Sequence, residues 1–104
     1  MNEALADISI ELISHAGEAR SIYMQALEAA RSGDLKSAAE KCGEADVEFA
    51  AARDIHMSIL VKCANEHIDT DLLLVHAQDH LTLAELTKCL AEEIIALRGE
   101  LAAE

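Results

Sequence analysis

The segment Leu74 to Leu81 reads LVHAQDHL, which gathers two imidazoles and a carboxylate into one short stretch. On a helix His76 and Asp79 are three residues apart and His76 and His80 four apart, so these side chains share a face while Gln78 points elsewhere. An imidazole can accept a phosphoryl group as a nucleophile, coordinate a metal, or exchange protons near neutrality. The residues leave these readings open beside a bland one, in which His76 is a core histidine hydrogen-bonded to Asp79. The metal reading, with His76, Asp79 and His80 as ligands, has the spacing of a helical two-histidine site. It lacks the nearby glutamate of HExxH and any definite third or fourth ligand.

Whatever this segment does, helices must position it. The chain has 104 residues, no proline, four glycines and twenty alanines, and its aromatic residues are Tyr23 and Phe49 alone. This composition favours helices and excludes a meander of short strands and tight turns. In the first third, Leu5, Ile8, Leu12, Ala19, Ile22 and Ala26 fall on one helical stripe, predicting a helix from about Asn2 to Ser32. Gly33 can take the left-handed conformation that ends it, and Asp34 can cap the next. A second stripe, Leu35, Ala38, Cys42, Ala45, Phe49, Ala52, His56, Ile59 and Cys63, steps by three and four throughout a helix of about 34–64.

Asn65 to Asp71, NEHIDTD, is polar and rich in cap formers, and predicts a loop. The third helix, about 71–102, has the stripe Leu72, His76, Asp79, Leu83, Leu86, Leu90, Ile94, Leu97 and Leu101, an aliphatic seam with two polar interruptions. Residues 1–104 are therefore expected to form one all-α domain, an antiparallel three-helix bundle with long helices. An alanine-heavy core buries little area per residue, and polar seam positions are tolerated where several subunits meet around water or an ion. Both observations predict a homo-oligomer.

Eight basic against twenty acidic residues give a net charge of −12, which disfavours nucleic acid and anionic membrane surfaces as partners. The apolar run Leu72 to Val75 is far short of the ~20 residues of a membrane span, and Met1 to Asp7 carries no basic leader, so no direct membrane insertion and a cytoplasmic location are expected. The acidic excess, including Glu92, Glu93, Glu100 and Glu104, is a solvated face or a rim that attracts a basic partner. Cys42, Cys63 and Cys89 contain no CxxC pair and are expected to be buried, reduced thiols. His15, His56 and His67 are expected to be structural. Gly17 and Gly43, inside helices, are expected to permit close helix approach.

Two separate strings, VHAQDHL at Val75 to Leu81 and SHAGEARSIYMQALEAARSGDLKSA at Ser14 to Ala38, occur in an order that resembles one family over nearly the whole chain. It is the enzyme IIA component of the lactose/cellobiose branch of the phosphoenolpyruvate-dependent sugar phosphotransferase system. The resemblance implies a homotrimer of three-helix subunits that takes a phosphoryl group from the histidine phosphocarrier protein onto one histidine. It then passes the group to a cysteine of a IIB component. His76 matches the phosphorylated histidine, and Gln78 and His80 match residues flanking it as supporting groups.

Asp79 matches an aspartate that meets its two symmetry copies around a divalent cation, for which magnesium is the natural candidate. The sequence departs from the family pattern at Arg53 to Met57, where a HxxQT string is usual, and at Thr82 and Leu83, where methionine and threonine are usual. These departures keep a second function class open, a non-enzymatic helical interaction module, beside the helical metal-binding protein already described.

Overall fold

The computed structural model describes residues 3–104. They form three helices, α1 (Glu3–Arg31), α2 (Leu35–Glu66) and α3 (Leu72–Ala103), arranged as an antiparallel bundle of about 56 × 18 × 16 Å. Asn2, where the first helix is expected to begin, lies outside the described residues. The second helix runs two residues further than its expected end.

The junctions follow from local chemistry. Gly33 takes φ +88°, and the amides of Gly33 and Asp34 bond back to the carbonyls of Ala30 (3.0 Å) and Ala29 (2.9 Å), closing α1 in a Schellman motif. The Asp34 carboxylate then accepts the Ser37 amide at 3.0 Å, capping α2. At the other end of α2 the left-handed residue is His67, φ 53°, and the Ile68 amide reaches back to the Cys63 carbonyl at 3.1 Å. Asp71 caps α3 by accepting the Leu74 amide at 2.9 Å.

The core runs along α1, which packs against both other helices, whereas α2 and α3 meet only sparsely. Leu5, Leu12, Ala16, Ala19 and Tyr23 of α1 interlock with Ala45, Phe49, Ala52 and Ile59 of α2 and with Leu74, Ala77, Leu81, Ala84 and Ala91 of α3. The stripes expected on α1 and α2 face inward, with their non-alanine members buried or half-buried. Arg98 of α3 fastens the far end by donating to the carbonyls of Ala30 (3.4 Å) and Arg31 (2.7 Å) at the C-terminal end of α1.

The stripe expected to form the α3 seam does not. All nine of its residues are exposed, Leu86 and Leu97 at 55 % each, and the face turned to α1 is the alanine row Ala77, Ala84 and Ala91 flanked by Leu74 and Leu81. The reason is steric. Helix α3 is apolar on two faces, and the alanine-lined side of α1 admits a partner row of small residues at closer axial distance than a row of leucines. The fold of one chain therefore leaves a continuous leucine face in solvent, a patch of the kind that marks an association surface.

Other expectations also change. Cys42 and Cys63 are half-buried, but Cys89 is exposed, because it stands on α3 next to the outward row rather than on the alanine row. A Cβ built on Gly17 or Gly43 would meet nothing within 4 Å, so neither glycine is there to allow close approach.

Candidate functional site

The first turns of α3 carry the whole LVHAQDHL segment, held by the Asp71 cap and anchored inward by Leu74, Ala77 and Leu81. With those three facing α1, helical geometry turns His76 out into solvent with His80 one turn on. Their Nε2 atoms are 3.2 Å apart and the rings meet edge to face, with centroids 4.6 Å apart and planes at 88°. A contact between two imidazole nitrogens needs one N–H and one lone pair, so in the neutral pair one ring donates and the other accepts. The bland reading, a core His76 bonded to Asp79, is not what the structure holds: His76 is exposed and its partner is His80.

Gln78 turns the other way, towards α2, where its Nε2 lies 3.2 Å from the Nε2 of His56. These two line a groove between α2 and α3 together with Arg53, Met57, Thr82 and Glu85. Arg53 also sits over the Phe49 ring, 6.0 Å from its centroid. His56, expected to be structural, thus reaches one of the expected site residues. The signal that could have found it is the one used on α3, a lone polar residue in an otherwise apolar seam.

Asp79 is exposed on the groove's rim, in line with the outward leucines. Among the described residues no group of three or more His, Cys, Asp or Glu side chains is assembled to hold a metal ion. The reading in which His76, Asp79 and His80 of one chain form a metal centre is therefore not supported by their placement.

Halfway along the bundle a second polar cluster ties all three helices. The buried Tyr23 hydroxyl donates to Asp46, and Lys88 donates to Asp46 at 2.9 Å and to Glu92 at 2.6 Å while its ammonium lies 5.8 Å from the Tyr23 ring centroid. Burial, and then Asp46, lift the Tyr23 phenol far above its ordinary range. Burial, with Asp46 and Glu92 adding to it, also pushes the Cys42 thiol up, which keeps it protonated and unreactive. This cluster is structural. His15, on α1, pairs through Nδ1 with the Glu48 carboxylate of α2 at 2.6 Å.

The antiparallel trio of long helices and the relatives it shares its sequence with give the class, a helical phosphotransferase component. The chain belongs to the lactose/cellobiose-specific IIA subunit family of the phosphotransferase system, whose model matches residues 7–99. It is 39 % identical over 98 residues to the lichenan-specific phosphotransferase enzyme IIA component of Bacillus subtilis, covering 93 % of this chain and 89 % of that one. It is 32 % identical over 102 residues to the N,N'-diacetylchitobiose-specific EIIA component of Escherichia coli, covering 97 % and 88 %. The crystal structure of the cellobiose-specific enzyme IIA from Bacillus anthracis superposes with a TM-score of 0.90 at 33 % identity, over 100 % of this chain and 96 % of that one. Among the described residues no helix is long and apolar enough to cross a membrane.

Proposed function

We propose that this chain is the relay step of a sugar uptake system, working in the cytoplasm: His76 accepts a phosphoryl group from the histidine phosphocarrier protein and gives it to a cysteine of a IIB component. The transported sugar is of the lactose/cellobiose type. The observation that supports this most directly is the exposed His76 with a second imidazole nitrogen 3.2 Å from its own. In the first transfer a neutral His76 nitrogen attacks phosphorus with its lone pair, a new N–P bond forms, and the N–P bond of the donor phosphohistidine breaks. In the second a cysteine thiolate attacks, S–P forms, and the His76–phosphorus bond breaks. Such transfers depend on positioning and charge stabilisation, so the N–H donors near His76 carry the catalytic weight. His80 is adjacent. Gln78, facing His56 across the groove, is placed to act on a partner docked over that groove.

The leucine face of α3 supports a homotrimer. Asp79 sits in line with that face, and three copies would bring three carboxylates together at an axis, where repulsion and lost hydration need a cation to offset them. An all-oxygen donor set suits Mg²⁺, which Asp79 of each subunit would hold, and the ion would supply charge neutralisation at the axis. The test is phosphate incorporation from phosphoenolpyruvate, through enzyme I and the phosphocarrier protein, into wild type and His76→Ala, read by intact mass without acid. One acid-labile phosphate on wild type and none on the variant is expected. Absence of label on wild type, in a system that labels a known IIA component, overturns the proposal in favour of an interaction module.

A further inference from the structure

We propose that His76 and His80 form a chelate for a borderline transition-metal ion such as Zn²⁺, and that the ion and the phosphoryl group compete for His76. This site is distinct from any Mg²⁺ at Asp79, since its donors are nitrogens. The competition, though not the chelation, rests on the function proposed above.

The geometry carries the inference. Two nitrogens each about 2.0 to 2.1 Å from one zinc ion stand about 2.9 Å apart at a right angle and about 3.4 Å apart at the tetrahedral angle. The two Nε2 atoms are 3.2 Å apart, inside that interval, before any ion is bound. The rings are set edge to face rather than stacked, on consecutive turns of a helix capped by Asp71, and in their hydrogen-bonded rotamers the two Nε2 atoms stand at chelating distance. Imidazole pairs favour Zn²⁺, Ni²⁺ and Cu²⁺ over Mg²⁺ and Ca²⁺, which prefer oxygen. Among the described residues no third His, Cys, Asp or Glu completes the set, so water fills the remaining positions and binding is reversible rather than structural.

In the hydrogen-bonded pair one Nε2 carries a proton. Its move to Nδ1 of the same ring frees both Nε2 lone pairs with no change in charge. Once Nε2 of His76 is metal-bound, its Nδ1 keeps the proton and neither nitrogen of that ring can attack phosphorus. Conversely, a phosphorylated His76 lacks the tautomeric freedom and the space to chelate.

Calorimetric titration of the intact, unphosphorylated protein with Zn²⁺ alone tests the site, using wild type, His76→Ala, His80→Ala and His15→Ala. One ion per chain is expected, weakened about tenfold or more by either change in the pair, because the second ligand then no longer binds intramolecularly. His15→Ala should bind as wild type does. Nitrogen-15 spectra of the imidazoles should show both Nε2 resonances of the pair moving on titration. Wild-type affinity in either His76→Ala or His80→Ala, or unmoved Nε2 resonances, overturns the chelate. For the competition, phosphorylated wild type should bind Zn²⁺ about tenfold or more weakly, and equal affinity before and after phosphorylation overturns it. If no phosphorylated protein forms at all, the carrier function fails and the competition with it, while the titrations still decide the chelate.

Discussion

Lys88 of α3 and Asp46 of α2 form an ion pair, 2.9 Å between Nζ and Oδ1, across the boundary where those two helices otherwise hardly touch. Asp46 also accepts the Tyr23 hydroxyl, so one carboxylate joins all three helices. Burial alone would push its acidity the wrong way, but the Tyr23 hydrogen bond and the Lys88 ammonium outweigh it and hold the carboxyl below the usual carboxylate range. A depressed value in the folded state means that the stabilisation is present above the unfolded carboxyl's pKa, about 4, and is lost as pH falls through the folded one. Urea unfolding should therefore show Asp46→Asn less stable than wild type by about 1 kcal/mol near neutrality, a figure kept small because Asp46 is half-exposed and screened. The gap should close as the solution is made strongly acidic.

The same cluster predicts an alkaline limit. Tyr23 is fully buried and its phenol is lifted far above the ordinary value of about 10, so the unfolded chain ionises it first. That contribution is fully present below about pH 10 and is lost as the pH rises beyond it. Tyr23→Phe should cost about 1 kcal/mol at neutral pH and flatten the fall in melting temperature at high pH.

Two glycine changes of opposite sense should both stabilise the bundle. His67 holds a left-handed conformation that glycine adopts without penalty, whereas Gly43 occupies a helix interior with open space around a built Cβ. His67→Gly and Gly43→Ala are each expected to add up to about 1 kcal/mol, measured by denaturant midpoint at constant slope.

Ser9 lies fully buried in α1, and among the described residues its hydroxyl has no hydrogen-bond partner. Ser9→Ala should raise stability by about 1 to 2 kcal/mol, from relief of an unpaired polar group and better helix propensity. A loss of stability would show that the hydroxyl finds a partner in solution.

At the site, His80→Ala removes the side chain that, among the described residues, stands in hydrogen-bond range of His76 Nε2. The phosphorylation of His76 proposed above is expected to slow by about tenfold to a hundredfold, below what a fully enclosed donor would contribute because the contact is exposed. An unchanged rate in a single-turnover measurement would confine His80 to the metal chemistry proposed above.

The three helices, their order and their short junctions were legible because glycine, aspartate and three-four periodicity act locally. Gly33 and Asp34 end one helix and begin the next whatever the tertiary structure does. The inner face of α3 was not legible in the same way. Leu83, Leu86 and Leu90 are more hydrophobic than Ala77, Ala84 and Ala91, and only the dimensions of α1 decide that the small row goes inside. The polar neighbours of His67 mark a loop, but nothing local marks a histidine for the left-handed position. The link from His56 to Gln78 spans 22 residues and depends on the packing of two helices, so spacing within either one could not show it.

Because α1 is packed on both sides while α2 and α3 barely meet, the bundle has a central strut and two arms. Opening either arm leaves the other still docked on α1, whereas opening α1 releases everything. Amide exchange should follow this hierarchy, with α1 retaining its protons longest and each outer helix exchanging through its own partial opening. The histidine pair lies on one of those outer arms, so its end of α3 can adjust without global unfolding.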